Sequence, residues 1–432
     1  MRSSSAQRGE AVDVTRQALL ARLDRFLPDP EYREFFAWAL SAKNPDRDLF
    51  TRIIALTQLG NLTAELLAGL SDAAEWPILL RHAVPVNLYQ IFEVVSDNLG
   101  IGLAVPGARP EVRDLLLDFD TVATDDLRHP SSRPVTELLA PLRARCDRIS
   151  GFEQSLTAEH QRKITDRYRA DRGLADAPAA LEYSVWCGLV ANLVSGRDVL
   201  AAIADTAGER AVRTATIERY TAVDRTVRHL DRTRAELLGT GSKAILVTAT
   251  LGYFATVFGE MSGTDRGYLA ALRDGSLMAS FETAAVLVRL QNDIGTALLH
   301  MTCTERADLF ASVRRRHDRN AGASTLQILA RAADEPPLNR FRKDLAHNEF
   351  NICLSALHTA EDAAEGFRIL IDDLDYFARR YARLRRELEQ QFAELERRLR
   401  DRRGIELARR FVDFHEHLYS HRYDTLAGDY AI

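Results

Sequence analysis

Residues 289–300 read RLQNDIGTALLH. They lie in a segment, 280–302, whose apolar residues recur with helical periodicity. On a helix, positions i, i+4 and i+8 stack on one face. Asn292, Thr296 and His300 have that spacing. An amide oxygen, a hydroxyl and a third ligand in line can hold one cation. Arg289, three residues before Asn292, is placed to meet an anion beside that cation. Asp293 points about 100° away and faces a neighbouring helix. A cation on one side and an arginine on the other suit a diphosphate. The blander reading of the same spacing is a core helix with scattered polar residues.

Outward from this segment the chain is helical almost throughout. Leu19, Leu20, Leu23, Phe26 and Leu27 form a core-facing stripe. Similar periodicity runs through 47–70, 76–100, 182–205, 210–238 and 243–260. Short alternating strands with Asn-Gly or Asp-Gly turns are absent. Breakers mark the loops: Pro28 and Pro30, Pro85, Gly100 to Pro110, His129 to Pro134, Gly239 to Gly241 and Pro336–Pro337. From about Ile371 to His421 the sequence predicts one long helix, or two broken at Gly404. Its middle is laced with opposite charges at i,i+4 spacing. The expectation is an all-α protein: a single large helical bundle with a long charged C-terminal helix. Residues 1–12 are expected to be disordered, 13–400 to form the helical domain, and 401–432 a C-terminal helical extension.

The 432 residues are 46% hydrophobic and 28% charged, ample for a large core. A net charge of −5 gives no bulk basic character for nucleic acid. Lysine occurs only at Lys43, Lys163, Lys243 and Lys343, a bias read as GC-rich coding. The opening MRSSSAQRGEAVDV lacks the apolar core of a secretory leader. No stretch reaches the roughly 18–20 apolar residues of a spanning helix. Cys146, Cys187, Cys303 and Cys353 are scattered, which suits a reducing, cytoplasmic setting.

The string Arg289-Leu290, Asn292-Asp293 and Thr296 resembles the second metal motif of class I terpene synthases, (N/D)Dxx(S/T)xxxE preceded by Arg-Leu. His300 departs from it, standing where the family has glutamate, and imidazole is a poor ligand for hard Mg²⁺. The resemblance implies a class I terpenoid synthase fold and Mg²⁺ as cofactor. It implies an allylic prenyl diphosphate as substrate, and loss of diphosphate to leave a carbocation in a dry pocket. It covers about 243–381; the first half is matched only by helical character. It further implies a basic diphosphate sensor, for which Lys243 opens the apolar helix KAILVTATLGYFATVF, and a later Arg-Tyr pair, Arg380–Tyr381. The helix carrying Gly252 would break near the pocket. Phe92, Trp186, Tyr253 and Phe254 are candidate aromatic walls for the cation. The family's DDxxD motif has no clean match. The nearest stretch, LLLDFDTVATDDLRHP, offers Asp118, Asp120, Asp125 and Asp126, with Asp118, Asp125 and Asp126 as candidate metal ligands. Asp372-Asp373-Leu-Asp375 lies in the wrong order and is read as helix surface or a partner for Arg380.

Two other readings stand beside this one. A helical metal-dependent oxidase of diiron type would use Glu93, Glu159 with His160, His300, and His347 with Glu349. A non-catalytic, terpene-synthase-like interaction protein would suit the altered Asp-rich motif and His300. His417 and His421 form an i,i+4 pair near the C-terminus, read as an amphipathic helix end. No nucleic-acid partner is expected, and a homodimer is compatible with the sequence.

Overall fold

In a computed structural model, which describes residues 3–151, 157–174, 179–231, 233–263, 265–318 and 322–420, every regular element is a helix. The chain divides into two compact units instead of the single domain expected. One runs over 3–99 and 110–209, the other over 100–109 and 210–420 of the described residues.

In the first unit the N-terminal helix, Ser5–Leu20, starts at a capping box between Ser4 and Gln7. Segment 3–12 is therefore ordered, contrary to the expectation of disorder. Burial of Ala11, Thr15 and Leu19 is the physical reason. The helix packs on Leu56–Leu67. A Cβ on Gly60 would lie 2.5 Å from Val12 Cγ2 and 2.9 Å from its Cα, so only glycine permits this approach. A buried chain of hydrogen bonds joins both helices to Trp76–Gly100. Thr63 donates to Asn87 at 2.9 Å, and Asn87 donates to Thr15 at 3.2 Å. Pro85 does not break Trp76–Gly100. It forfeits one i→i−4 bond, and the packing of Leu79, Leu80, Ala83, Val84, Val86 and Leu88 holds the helix through it. Helix Val185–Ala201 begins at Ser184, whose hydroxyl accepts from the Cys187 amide.

In the second unit the helix Ser276–Ile294, here called the motif helix, lies at the centre. Arg234–Lys243, Val247–Met261, the long helix Ala363–Arg398 and the terminal helix Arg403–Leu418 all pack on it. Its almost continuous burial from Ala284 to Ile294 explains why it reads apolar on more than one face. Gly239 and Gly241, expected in a loop, lie inside Arg234–Lys243. A Cβ at Gly241 would meet the Arg289 Nε at 3.3 Å, so this glycine lets the two helices close. The long helix buries Phe367, Leu370, Leu374, Phe377, Tyr381, Leu384, Leu388, Phe392 and Leu395 along one stripe. Each such large side chain contributes about 1.5–3 kcal/mol when fully buried.

The predicted C-terminal helix is two helices, broken over 399–402, shortly before Gly404. The terminal helix is part of the second unit's core, not an extension: Ile405, Leu407, Ala408, Phe411 and Val412 are buried. A Cβ on Gly404 would lie 3.1 Å from the Ala255 Cβ and 3.2 Å from its Cα, so glycine lets the two helices close here. Segment Gly100–Arg109 joins this unit through the Gly102 and Ala104 amides, which donate to the His347 and Asn348 carbonyls.

Among the described residues no single helix is long and apolar enough to cross a membrane. The bent pair Arg234–Lys243 and Val247–Met261 passes on length and composition, but Val247–Met261 is a core helix buried from Ala249 to Gly259. The four cysteines form no disulfide; Cys303 alone is exposed.

Candidate functional site

The motif helix starts after Gly275, in the left-handed conformation, and ends at Gly295. There φ is 85° and ψ 144°, a geometry closed to L side chains. A short helical turn, Thr296–His300, follows. Asn292, Thr296 and His300 are therefore not on one continuous helix, and the i, i+4, i+8 stacking expected from their spacing is lost at Gly295.

Each polar residue of the segment has a partner within its own unit. Arg289 is buried and bonds Asp293 Oδ2 through Nε at 2.9 Å and through its terminal nitrogen at 2.7 Å. It also donates to the Phe350 carbonyl and lies over the Phe350 ring. Asp293 accepts a further bond from the Ile352 amide at 3.0 Å. Burial holds the Asp293 carboxyl above the usual range. Arg289 opposes that shift, and the nearby Asp344 carboxylate adds to it. Asn292 accepts from Arg340 at 2.6 Å. Arg340 faces Asp344 at 3.8 Å, and Asn351 donates both to Asp344 at 2.7 Å and to the Asp293 carbonyl at 2.8 Å. The latter bond satisfies a carbonyl that the helix end leaves open. Two arginines, two aspartates and two asparagines thus form one charge-compensated network.

Thr296 works on the terminal helix. Its hydroxyl donates to the Glu416 carbonyl at 2.7 Å and its amide to the Tyr419 carbonyl at 3.1 Å, serving carbonyls at that helix's C-terminal end. His300 is exposed; its Nε2 lies 3.0 Å from Glu416 Oε1, and its ring meets Tyr381 edge-on at 5.8 Å. Tyr381 is buried on the long helix, and its hydroxyl accepts from the Gln291 amide at 3.0 Å. Burial pushes this phenol up to about 12. Its neighbour Arg380 is half-buried.

Lys243 closes the Arg234–Lys243 helix instead of opening the apolar one, which starts at Val247. Its ammonium pairs with Glu218 at 3.1 Å. Helix Val247–Met261 runs unbroken through Gly252, where a Cβ would approach Met278 Cε to 3.2 Å: this glycine serves close packing. Tyr253 and Phe254 are buried in the same helix, ring edge to ring face at 5.5 Å. Asp373 pairs with Arg234 and Asp375 with Arg306, not with Arg380.

The remaining candidates belong to the first unit. Asp118 pairs with Arg145 at 2.5 Å and is largely exposed. Asp126 is buried against Arg197, while Asp125 is exposed. Adjacent on Pro110–Arg128, the last two point different ways. Trp186 lies under the Arg143 guanidinium at 5.1 Å, and Phe92 packs against Phe26 at 5.0 Å.

Mg²⁺ needs several oxygen donors near octahedral positions. Among the described residues no group of three His, Cys, Asp or Glu side chains could hold a metal ion. The Asn292 oxygen accepts from Arg340, while Thr296 lies on the separate turn Thr296–His300 with its hydroxyl donating to the Glu416 carbonyl. As folded, the donor set does not fit Mg²⁺. His421, of the C-terminal histidine pair, lies outside the described residues.

Arg340, Asp344 and Asn351 were not singled out from sequence. Arg340 and Asp344 are an i,i+4 opposite-charge pair, a signal that exposed helix faces carry just as often. No protein-family model matches the chain, and no match was found among curated proteins or solved structures.

Proposed function

We propose that the chain is an atypical class I terpene synthase of the helical terpenoid-synthase type, acting on an allylic prenyl diphosphate. The observation that carries the reading is the meeting of two separated sequence elements. Tyr381, of the Arg380–Tyr381 pair, receives its hydrogen bond from Gln291 inside RLQND. The helix ending at Lys243 packs on the same motif helix, which supports the grouping of the three elements the resemblance calls for. Ionisation of a prenyl diphosphate needs no general base, which agrees with a site where Arg289, Lys243 and Tyr381 are the notable groups. As folded, Arg289, Lys243 and Tyr381, not a metal centre, are the groups placed to meet a diphosphate.

A second reading is favoured by the saturation of the segment. The engagement of Asn292, Asp293 and Thr296 supports a non-catalytic, terpene-synthase-like interaction protein. One experiment separates the two. The full chain is incubated with C10 to C20 prenyl diphosphates, with and without Mg²⁺, and diphosphate and hydrocarbon are measured. Release of diphosphate with a hydrocarbon or terpene alcohol, in either condition, supports the synthase. No release with any substrate sinks it and leaves the second reading.

A further inference from the structure

The first unit contains a pocket that the 289–300 segment does not use. Its empty volume is about 610 Å³, a figure that includes the open mouth and the solvent adjoining it. It lies between the helices Pro30–Ala39, Arg47–Ile53, Trp76–Gly100, Ala158–Arg172 and Val185–Ala201. No lining residue carries a charge. Most of the wall is apolar, with Ile91, Phe92 and Val95 along one side.

Its polar lining is Tyr32, Asn98, Thr157, Gln161, Tyr183 and Ser184, and Gln161 donates to the Glu182 carbonyl, next to Tyr183 in the chain, at 2.6 Å. Tyr183 hydrogen-bonds the Asn98 side chain, and Tyr32 bonds the Ser184 backbone. Burial pushes both phenols well up, so both stay neutral at every ordinary pH. A Cβ on Gly188 would lie 2.8 Å from Val95 Cγ2 and 3.7 Å from the Tyr183 hydroxyl. Glycine here brings the Val185–Ala201 helix close to Val95, beside the Tyr183 hydroxyl.

A site with an apolar body, neutral hydrogen-bonding groups and no charge discriminates by desolvation. An anionic head entering it would lose its hydration without a compensating cation. A hydroxyl or carbonyl needs only one or two partners. We propose that this pocket binds an uncharged, elongated apolar molecule with a single hydroxyl or carbonyl group. Its chain lies along Ile91, Phe92 and Val95, and its polar end faces Asn98 and Tyr183.

The test uses the full chain and the neutral fluorophore N-phenyl-1-naphthylamine, displaced by farnesol or, without added metal, by farnesyl diphosphate. Saturable fluorescence enhancement is expected, with farnesol displacing the probe at least about tenfold better than the diphosphate. Ile54→Trp and Val94→Trp place bulk at half-buried wall positions, where a larger ring is tolerated better than in the closed core. Each should weaken probe binding at least fivefold while helicity and melting temperature hold. Absence of saturable binding, equal displacement by the diphosphate, or wild-type affinity in both folded variants overturns the proposal. Failure of turnover in the prenyl diphosphate panel leaves this result untouched, because the two experiments read different ligands.

Discussion

Arg340 donates to the Asn292 side-chain oxygen at 2.6 Å from 48 residues further along the chain. The asparagine that the resemblance assigns to a metal is thus the anchor for a buried guanidinium. Arg340→Met would strip Asn292 of its donor and Asp344 of its cation, leaving Asp344 only the Asn351 bond, while keeping most of the volume. We expect a loss of about 2–3 kcal/mol in urea unfolding, because a buried carboxylate is left short of a partner. A stability equal to wild type would show that the network is dispensable.

Asp293 and Arg289 make the tightest ion pair of the segment. Asp293→Asn keeps the shape and removes the charge opposite a buried arginine, a change expected to cost about 3 kcal/mol. Adding Arg289→Met should recover part of that loss, since the unpaired charge goes with it. A double-mutant cycle by denaturant unfolding measures the coupling. Additive losses would deny that the two act as a pair.

His300 is exposed beside Glu416. His300→Glu restores the family's residue and sets two carboxylates side by side, with Arg385 close by at 3.2 Å from Glu416. Without metal the variant should lose no more than about 1 kcal/mol, as exposed pairs are worth little. If the 289–300 segment can take Mg²⁺ at all, this variant should show a metal-dependent rise in melting temperature that wild type lacks. No rise would assign the segment wholly to structure.

His415, on the terminal helix, packs its ring on Phe411 at 4.4 Å and beside Tyr419. Burial lowers its pKa to about 4, against 6.5 for an ordinary imidazole. The unfolded chain therefore binds more protons than the folded one between those values. Stability from this residue is complete above about pH 6.5 and falls as pH drops towards 4. The half-buried ring limits the loss to about 2 kcal/mol. Melting temperatures of wild type and His415→Leu over that window check it: the variant should show the shallower slope.

Gly60→Ala would drive a methyl group into the Val12 backbone. We expect about 2 kcal/mol of destabilisation and faster amide exchange across Ser5–Leu20. Unchanged exchange there would mean that the N-terminal helix is not held by this contact.

The helices and most of their stripes were legible from apolar periodicity, because each buried face is written into residues three and four apart. The motif helix, the long amphipathic helix and the core of Val247–Met261 could be read this way. The N-terminal helix was underestimated because its anchors, Ala11, Thr15 and the Gly60 contact, are small and weakly hydrophobic. Pro85 and Gly241 looked like breaks since the packing that overrides local propensity comes from distant residues.

What the sequence by itself determined is the all-helical class and the identity of the polar string RLQNDIGT. What only the tertiary structure decided is what those side chains do. Spacing places Asn292, Thr296 and His300 on one face only while the helix is continuous, and Gly295 ends it. Their partners, Arg340, Glu416 and the 344–352 segment, come from elsewhere in the chain. A buried polar group must be satisfied by whatever the fold brings to it. A diphosphate site and a structural network draw on the same residue types, and the chain's long-range packing selects between them.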